Sequence, residues 1–228
     1  AFDVNGKLLW KKDLTPPGEK SGEIFGGGLT LGQDQLFVTL SYGFVLSLDP
    51  RTGEKKWSQR LSGAGNTVPV FDDGLVYLVS GDSKAWAISA NNGRVKWKID
   101  AIGNDTNLIS NNAPATNKKY AVFGFGNGEI YTTFKKGGYV LWSSSLSGRN
   151  DGRVISAIDD IVASPVIVGR NVFVADGSGK VVSLKVESGE RNWTAPFGSS
   201  GNLWVAGKSL FFISNTNHLV RLKIKTGD

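Results

Sequence analysis

Short stretches in which apolar and polar residues alternate recur along the chain. Val45-Leu46-Ser47-Leu48 and Val181-Val182-Ser183-Leu184 are two of them. A period of two, built from β-branched and aromatic residues, is the mark of a half-buried strand. The stretches come in pairs around turn residues. Thr67-Val68-Pro69-Val70-Phe71 leads through Asp73-Gly74 into Leu75-Val76-Tyr77-Leu78-Val79. Ser164-Pro165-Val166-Ile167-Val168 leads through Gly169-Arg170 into Asn171-Val172-Phe173-Val174-Ala175. Each pair predicts an antiparallel hairpin. No apolar run approaches the roughly 18 residues of a membrane-spanning helix.

A longer period overlies the short one. Five tryptophans each follow a glycine by four positions: Gly6 and Trp10, Gly53 and Trp57, Gly93 and Trp97, Gly138 and Trp142, Gly189 and Trp193. A sixth copy starts at Arg221 and reaches Thr226-Gly227-Asp228. The unit is about 44 residues, the scale of one supersecondary repeat. It reads as four short antiparallel strands, with the glycine in the tight turn before the tryptophan-bearing strand. One such sheet cannot bury both faces alone, whereas sheets repeated about an axis cover one another. The predicted fold class is therefore all-β, a β-propeller of four-stranded blades in a single domain over 1–228. Its repeats run over approximately 1–14, 24–62, 66–103, 109–146, 158–197 and 200–228. The five tryptophans are expected at equivalent, mostly buried positions. The chain opens at Ala1 inside a repeat, so further sequence upstream is expected, and about five blades' worth is present.

Composition narrows the chemistry. The absence of cysteine excludes disulfides, thiolate metal sites and thiol nucleophiles. Lone His218 has no partner at metal-ligand spacing and reads as a surface residue. The paired acids Asp72-Asp73 read as a hairpin turn, and Asp159-Asp160 as the approach to a strand. Gly124-x-Gly126-x-Gly128 opens no helix and fails as a dinucleotide fingerprint. The sequence therefore points to no catalytic residue, metal site or cofactor. A formal charge of +6 suggests an acidic partner or an anionic membrane surface. The lysine pairs 11-12, 55-56, 118-119 and 135-136 are scattered and read as solvated turns and strand edges. No basic stripe interleaved with aromatics suggests nucleic acid.

The fullest copy, Ser47-x-Asp49-x-x-Thr52-Gly53-x-x-x-Trp57, resembles the tryptophan-docking motif of quinoprotein-type propellers, Ala-x-Asp-x-x-Thr-Gly-x-x-x-Trp. That resemblance implies a structural role for Trp10, Trp57, Trp97, Trp142 and Trp193. Each indole would pack on the next blade's turn, at Gly53, Gly93, Gly138 and Gly189. Asp49 is replaced by Ser89, Phe134, Lys185 and Lys223 at equivalent positions, which puts its contact in question elsewhere.

Three further segments narrow the resemblance to the BamB family of outer-membrane assembly lipoproteins. They are Phe25-Gly26-Gly27-Gly28-Leu29 with the following Tyr42-Gly43 strand, Asn111-Asn112-Ala113-Pro114-Ala115, and Asp159-Asp160-Ile161-Val162-Ala163-Ser164-Pro165-Val166. The resemblance implies an eight-bladed, non-catalytic scaffold on the periplasmic face of the outer membrane, held by a lipid anchor outside this chain. Its partners would be the POTRA domains of BamA and nascent β-barrel proteins. It also implies a partner site on two neighbouring blades. Leu108 and Ile109 would stand where the family has Leu-Arg, and Asp160 and Val162 where it has Asp-x-Asp. Ile109 and Val162 depart from that pattern. Three alternatives stay open: a closed five-bladed ring, a sensor or adaptor ectodomain, and a fragment of a quinone-dependent dehydrogenase. The last would need a quinone and a calcium ligand set.

Overall fold

Each glycine of the long repeat closes a tight turn through the main chain. A computed structural model describes residues 1–20, 27–101, 112–145, 161, 163–177, 179–199 and 201–228. In it the N–H of Gly53 donates to the Asp49 carbonyl at 2.8 Å, and the N–H of Asp49 to the Glu54 carbonyl at 2.7 Å. The same two bonds recur from Gly93 to Ser89, Gly138 to Phe134, Gly189 to Lys185 and Gly227 to Lys223, with their return partners. These glycines have φ of 72°, 72°, 69°, 72° and 79°, a left-handed geometry in which a Cβ is strained. The first copy is one residue tighter, with Gly6 N–H on the Asp3 carbonyl at 3.1 Å.

The main-chain closure explains how the motif tolerates loss of its aspartate. The Asp49 carboxylate accepts the N–H groups of Arg51 at 2.8 Å and Thr52 at 3.3 Å. The Arg51 N–H holds that carboxyl below its ordinary range. Ser89, Phe134, Lys185 and Lys223 make the same turn without it. The carboxylate supplements a turn that the backbone closes alone.

The strands form simple meanders, four sheets of four strands and one of three among the described residues. The first sheet holds β1 (Leu29–Gly32), β2 (Gln35–Leu40), β3 (Phe44–Leu48) and β4 (Lys55–Arg60). The second holds β5 (Val70–Asp72), β6 (Leu75–Ser80), β7 (Lys84–Ser89) and β8 (Val95–Asp100). The third holds β9 (Ala115–Thr116), β10 (Tyr120–Gly124), β11 (Glu129–Phe134) and β12 (Val140–Ser145). The fourth holds β13 (Val166–Val168), β14 (Asn171–Ala175), β15 (Val181–Lys185) and β16 (Arg191–Ala195). The fifth has β17 (Trp204–Ala206), β18 (Ser209–Ile213) and β19 (Leu219–Lys223). Ahead of them, residues 1–10 form a hairpin with a bridge between Phe2 and Leu8. The strands β5 and β13 start at Val70 and Val166, later than the alternation at Thr67 and Ser164 suggests. Pro69 and Pro165 have no N–H to give a ladder, and Thr67 instead bonds Val79 O through its hydroxyl at 2.7 Å.

The alternation separates two buried faces on each middle strand. On β6, Val76 and Leu78 pack back onto Phe37 and Val45 of the first sheet. Tyr77 and Val79 pack forward onto Ala121, Phe123 and Tyr131 of the third. The third and fourth sheets meet through Val122, Ile130, Val172 and Leu184, and the fourth and fifth through Phe173, Val181, Leu210 and Phe212. Inner strands β1, β5, β9, β13 and β17 touch in succession. The described residues thus form a row of radially arranged sheets, with cores between sheets rather than within them.

The tryptophans sit on the outer strands, opposite Ser47, Ala87, Thr132 and Ser183 of the neighbouring strand. Each indole N–H crosses to the next sheet's turn. Trp10 donates to Pro50 O at 3.1 Å, Trp57 to Ala90 O at 2.8 Å and Trp97 to Lys135 O at 3.0 Å. Trp142 donates to Val186 O at 2.9 Å and Trp193 to Ile224 O at 3.0 Å. Each ring lies on the glycine of that turn: Gly53, Gly93, Gly138, Gly189 and Gly227 in order. All five are partly buried.

Among the described residues four buried side-chain atoms have no hydrogen-bond partner: Asn66 Oδ1, Thr132 Oγ1, Asp176 Oδ2 and the Tyr77 hydroxyl. The Tyr77 hydroxyl makes no hydrogen bond, and burial, with Asp72 and Asp73 nearby, pushes its ionisation upward. Removing an orphan donor relieves a desolvation cost. Tyr77→Phe is expected to leave stability unchanged or raise it by up to about 1 kcal/mol in urea melts. A clear loss would show that the hydroxyl has a partner in solution.

Candidate functional surface

The sheets' two ends differ. One end gathers the turns that close β1–β2 and β3–β4 and their equivalents, where the indoles dock. The other gathers the segments that lead from the last strand of one sheet into the first of the next. Leu108, Ile109, Asp160 and Val162 fall, in sequence, ahead of β9 and β13, and all four lie outside the described residues.

Their described neighbours are bonded to one another. The Asn112 amide donates to the Ile161 carbonyl. The Ala113 N–H donates to Ser164 Oγ at 3.0 Å, and the Ser164 N–H to Asn202 Oδ1 at 3.3 Å. Asn112 and Ile161 are buried, at 3% and 0% exposure. The leads into the third, fourth and fifth sheets are thus tied side by side. Ser164, one of the Ser-Pro pair singled out in the sequence, accepts from one side and donates to the other. No sequence signal marked Asn112 or Asn202 for this, since an asparagine near a strand start is ordinary turn chemistry.

At the opposite end a polar cleft of about 680 Å³ opens between the second and third sheets. Phe71, Asp72, Asp73, Asn117, Lys118 and Lys135 line it. Lys135 Nζ lies 2.6 Å from Asp72 Oδ2, and the lysine side chain is 8% exposed. The Asp73-Gly74 turn has φ of 50° and 75°, the left-handed pair of a two-residue hairpin. His218 is exposed, with Nδ1 3.0 Å from Thr216 Oγ1. Among the described residues no three His, Cys, Asp or Glu side chains gather as a metal site.

Radial four-stranded meanders, locked by an indole on the next sheet's glycine, define a β-propeller of the quinoprotein-repeat class. A family profile described as outer membrane protein assembly factor BamB matches residues 1–228. The chain belongs to that family. Among its relatives is the outer membrane protein assembly factor BamB of Moranella endobia, 23% identical over all of this chain and 60% of that protein. The crystal structure of BamB from Moraxella catarrhalis superposes with a TM-score of 0.78 at 18% identity, covering 89% of this chain and 62% of that one. A quinohemoprotein alcohol dehydrogenase from Comamonas testosteroni shares the fold, with a TM-score of 0.74 at 14% identity over 88% of this chain and 41% of that one. The chain therefore spans about three-fifths of the relative it matches.

Proposed function

We propose that the protein is a non-catalytic scaffold subunit of the outer-membrane β-barrel assembly machinery. In this reading it sits on the periplasmic face of the outer membrane through a lipid anchor outside this chain. It binds the POTRA domains of a BamA homologue and assists nascent barrel proteins. The observation that carries this is the match of the assembly-factor family along residues 1–228. The bonded leads Asn112–Ile161 and Ala113–Ser164 support a single partner surface, because the four candidates flank them in sequence.

The five sheets belong, in the same proposal, to a larger propeller. The forward face of the last sheet leaves Trp204 72%, Ile213 47% and Leu219 73% exposed. At the matching positions of the fourth sheet, Val166, Ala175 and Val181 pack in the core against the fifth. Leu29 and Leu31 of β1 are each 64% exposed. A closed five-bladed ring would bury these two faces against each other.

The test is capture of the BamA homologue by the full-length protein carrying Leu108→Ala, Asp160→Ala or both. Each variant is first checked for an unchanged melt. Removing anchors at such a contact typically costs more than about 1 kcal/mol, so roughly tenfold weaker capture is expected for the pair. Undiminished capture by the double variant refutes this surface.

A further inference from the structure

Some of the 26 basic residues that look scattered along the chain gather in one place on the molecule. The Lys135 N–H donates to the Lys119 carbonyl at 3.0 Å, which sets the turn at 117–119 beside the turn at 135–139. Trp97 donates to Lys135 O at 3.0 Å and lies on Gly138, so the start of β8 reaches the same place. Arg94 and Lys96 of the second sheet, with Lys118, Lys119 and Lys136 of the third, are all exposed there. Lys119 is held in place over the Tyr120 and Phe134 rings, at 5.1 and 5.6 Å. Arg94, Lys96, Lys118 and Lys136 enter no ion pair among the described residues. Two acids stand at the margins: Asp73 in the cleft that Lys118 also lines, and Glu187 beside the Tyr120 hydroxyl at 3.5 Å. Asp72 is already engaged by Lys135.

Apolar groups stand among these cations. Tyr139 is 74% exposed, Val140 44% and Val95 37%. Tyr139 projects from the turn that carries Lys136, with its ring against Gly137. A protruding tyrosine flanked by aliphatic groups and lysines suits a lipid headgroup layer, where an amphipathic ring sits at the interface and cations meet phosphate. An acidic protein partner would instead be met by anchors that seat in pockets. The cleft beside this patch is polar and carries both signs of charge.

We propose that this seam between the second and third blades is a docking surface for an anionic phospholipid membrane. Arg94, Lys96, Lys118, Lys119 and Lys136 meet the phosphates, and Tyr139 with Val95 and Val140 sits at the headgroup level. The inference is independent of the BamA contact, since it uses none of the candidate partner residues and a test containing no protein partner.

The test is sedimentation of the full-length protein, produced without any acyl chain, with vesicles. One set contains phosphatidylglycerol in phosphatidylcholine, the other phosphatidylcholine alone. Binding to the anionic set alone, weakened by salt, is expected. Each basic side chain at such a surface strengthens attachment about fivefold. Reversing three, Arg94→Glu, Lys96→Glu and Lys136→Glu, is therefore expected to lower the partition coefficient by at least about 100-fold. The same net change made away from the seam, at Lys11, Lys12 and Arg60, is expected to have a much smaller effect. Glutamine at the three patch positions serves where the glutamates disturb the melt. Tyr139→Ser, which alters no charge, is expected to weaken binding severalfold. Equal binding to both vesicle types, equal loss from both triple variants, or no loss from Tyr139→Ser would overturn the proposal. The last outcome points to an acidic protein surface instead.

Discussion

Gly93→Ala is expected to destabilise the protein by about 3 kcal/mol or more, close to the cost of deleting the neighbouring tryptophan. A Cβ on Gly93 would stand 2.6 Å from Cε3 of Trp57, far inside contact distance. At φ of 72° an alanine there also carries left-handed strain of about 1 kcal/mol. The ring must leave the turn, and with it goes the 2.8 Å bond to Ala90 O, worth about 1 kcal/mol. Also lost is packing against Phe37, whose ring centroid lies 5.8 Å away. Trp57→Ala alone is expected to cost about 3 kcal/mol, at the lower end for a large aromatic because the indole is partly buried. The discriminating measurement is the double variant. With the indole gone, Gly93→Ala retains only its backbone strain of about 1 kcal/mol. Urea melts should therefore show coupling of about 2 kcal/mol or more between the two positions. Additive losses would mean that the indole does not lean on the glycine in solution.

The propeller was legible because two periods reinforce each other. Alternation within Val76–Val79 assigns each side chain to the sheet before or the sheet after, and the Gly-to-Trp spacing fixes where each meander turns. The turn survived replacement of Asp49 by Phe134 or Lys185 because its closing bonds are main chain, which side-chain identity cannot reveal. Contacts between sheets were much less legible. Lys135 and Asp72 are 63 positions apart, and nothing local marks either as half of a buried pair. Lys135 read as part of a solvated lysine pair; it is buried, while its neighbour Lys136 is exposed. The basic patch was hidden for the same reason. Lys96, Lys118 and Lys136 belong to different strands and turns, and the Lys135-to-Lys119 main-chain bond together with the docking of Trp97 on Gly138 brings them together. Of the candidate partner residues, the sequence singled out Leu108, Ile109, Asp160 and Val162 by resemblance. Their flanks meet through Asn112 and Ser164, hydrogen bonds that no motif foretells.

The buried pair between the second and third blades should respond unequally to losing each partner. Asp72→Ala leaves the Lys135 ammonium, with its side chain 8% exposed, without its carboxylate. Stranding a buried charge in this way costs about 3 kcal/mol or more. Lys135→Met removes the charge itself and keeps a flexible apolar chain of similar length in the interface. The carboxylate then left alone belongs to a side chain 31% exposed, which water can solvate. That variant is expected to lose less than about 1 kcal/mol. Adding Lys135→Met to Asp72→Ala should then recover most of the loss, because the stranded charge is gone. Lys185–Glu190 provides the contrast: its side chains are 48% and 64% exposed, and Glu190→Gln is expected to leave the melt unchanged. Urea unfolding of the four variants decides the matter. If Asp72→Ala and Lys135→Met lose equally and the double variant recovers nothing, the pair stabilises through its mutual attraction. If the predicted asymmetry appears, the aspartate is there to make a buried lysine tolerable. The same carboxylate then leaves Lys118, Lys119 and Lys136 as the exposed cations of that seam.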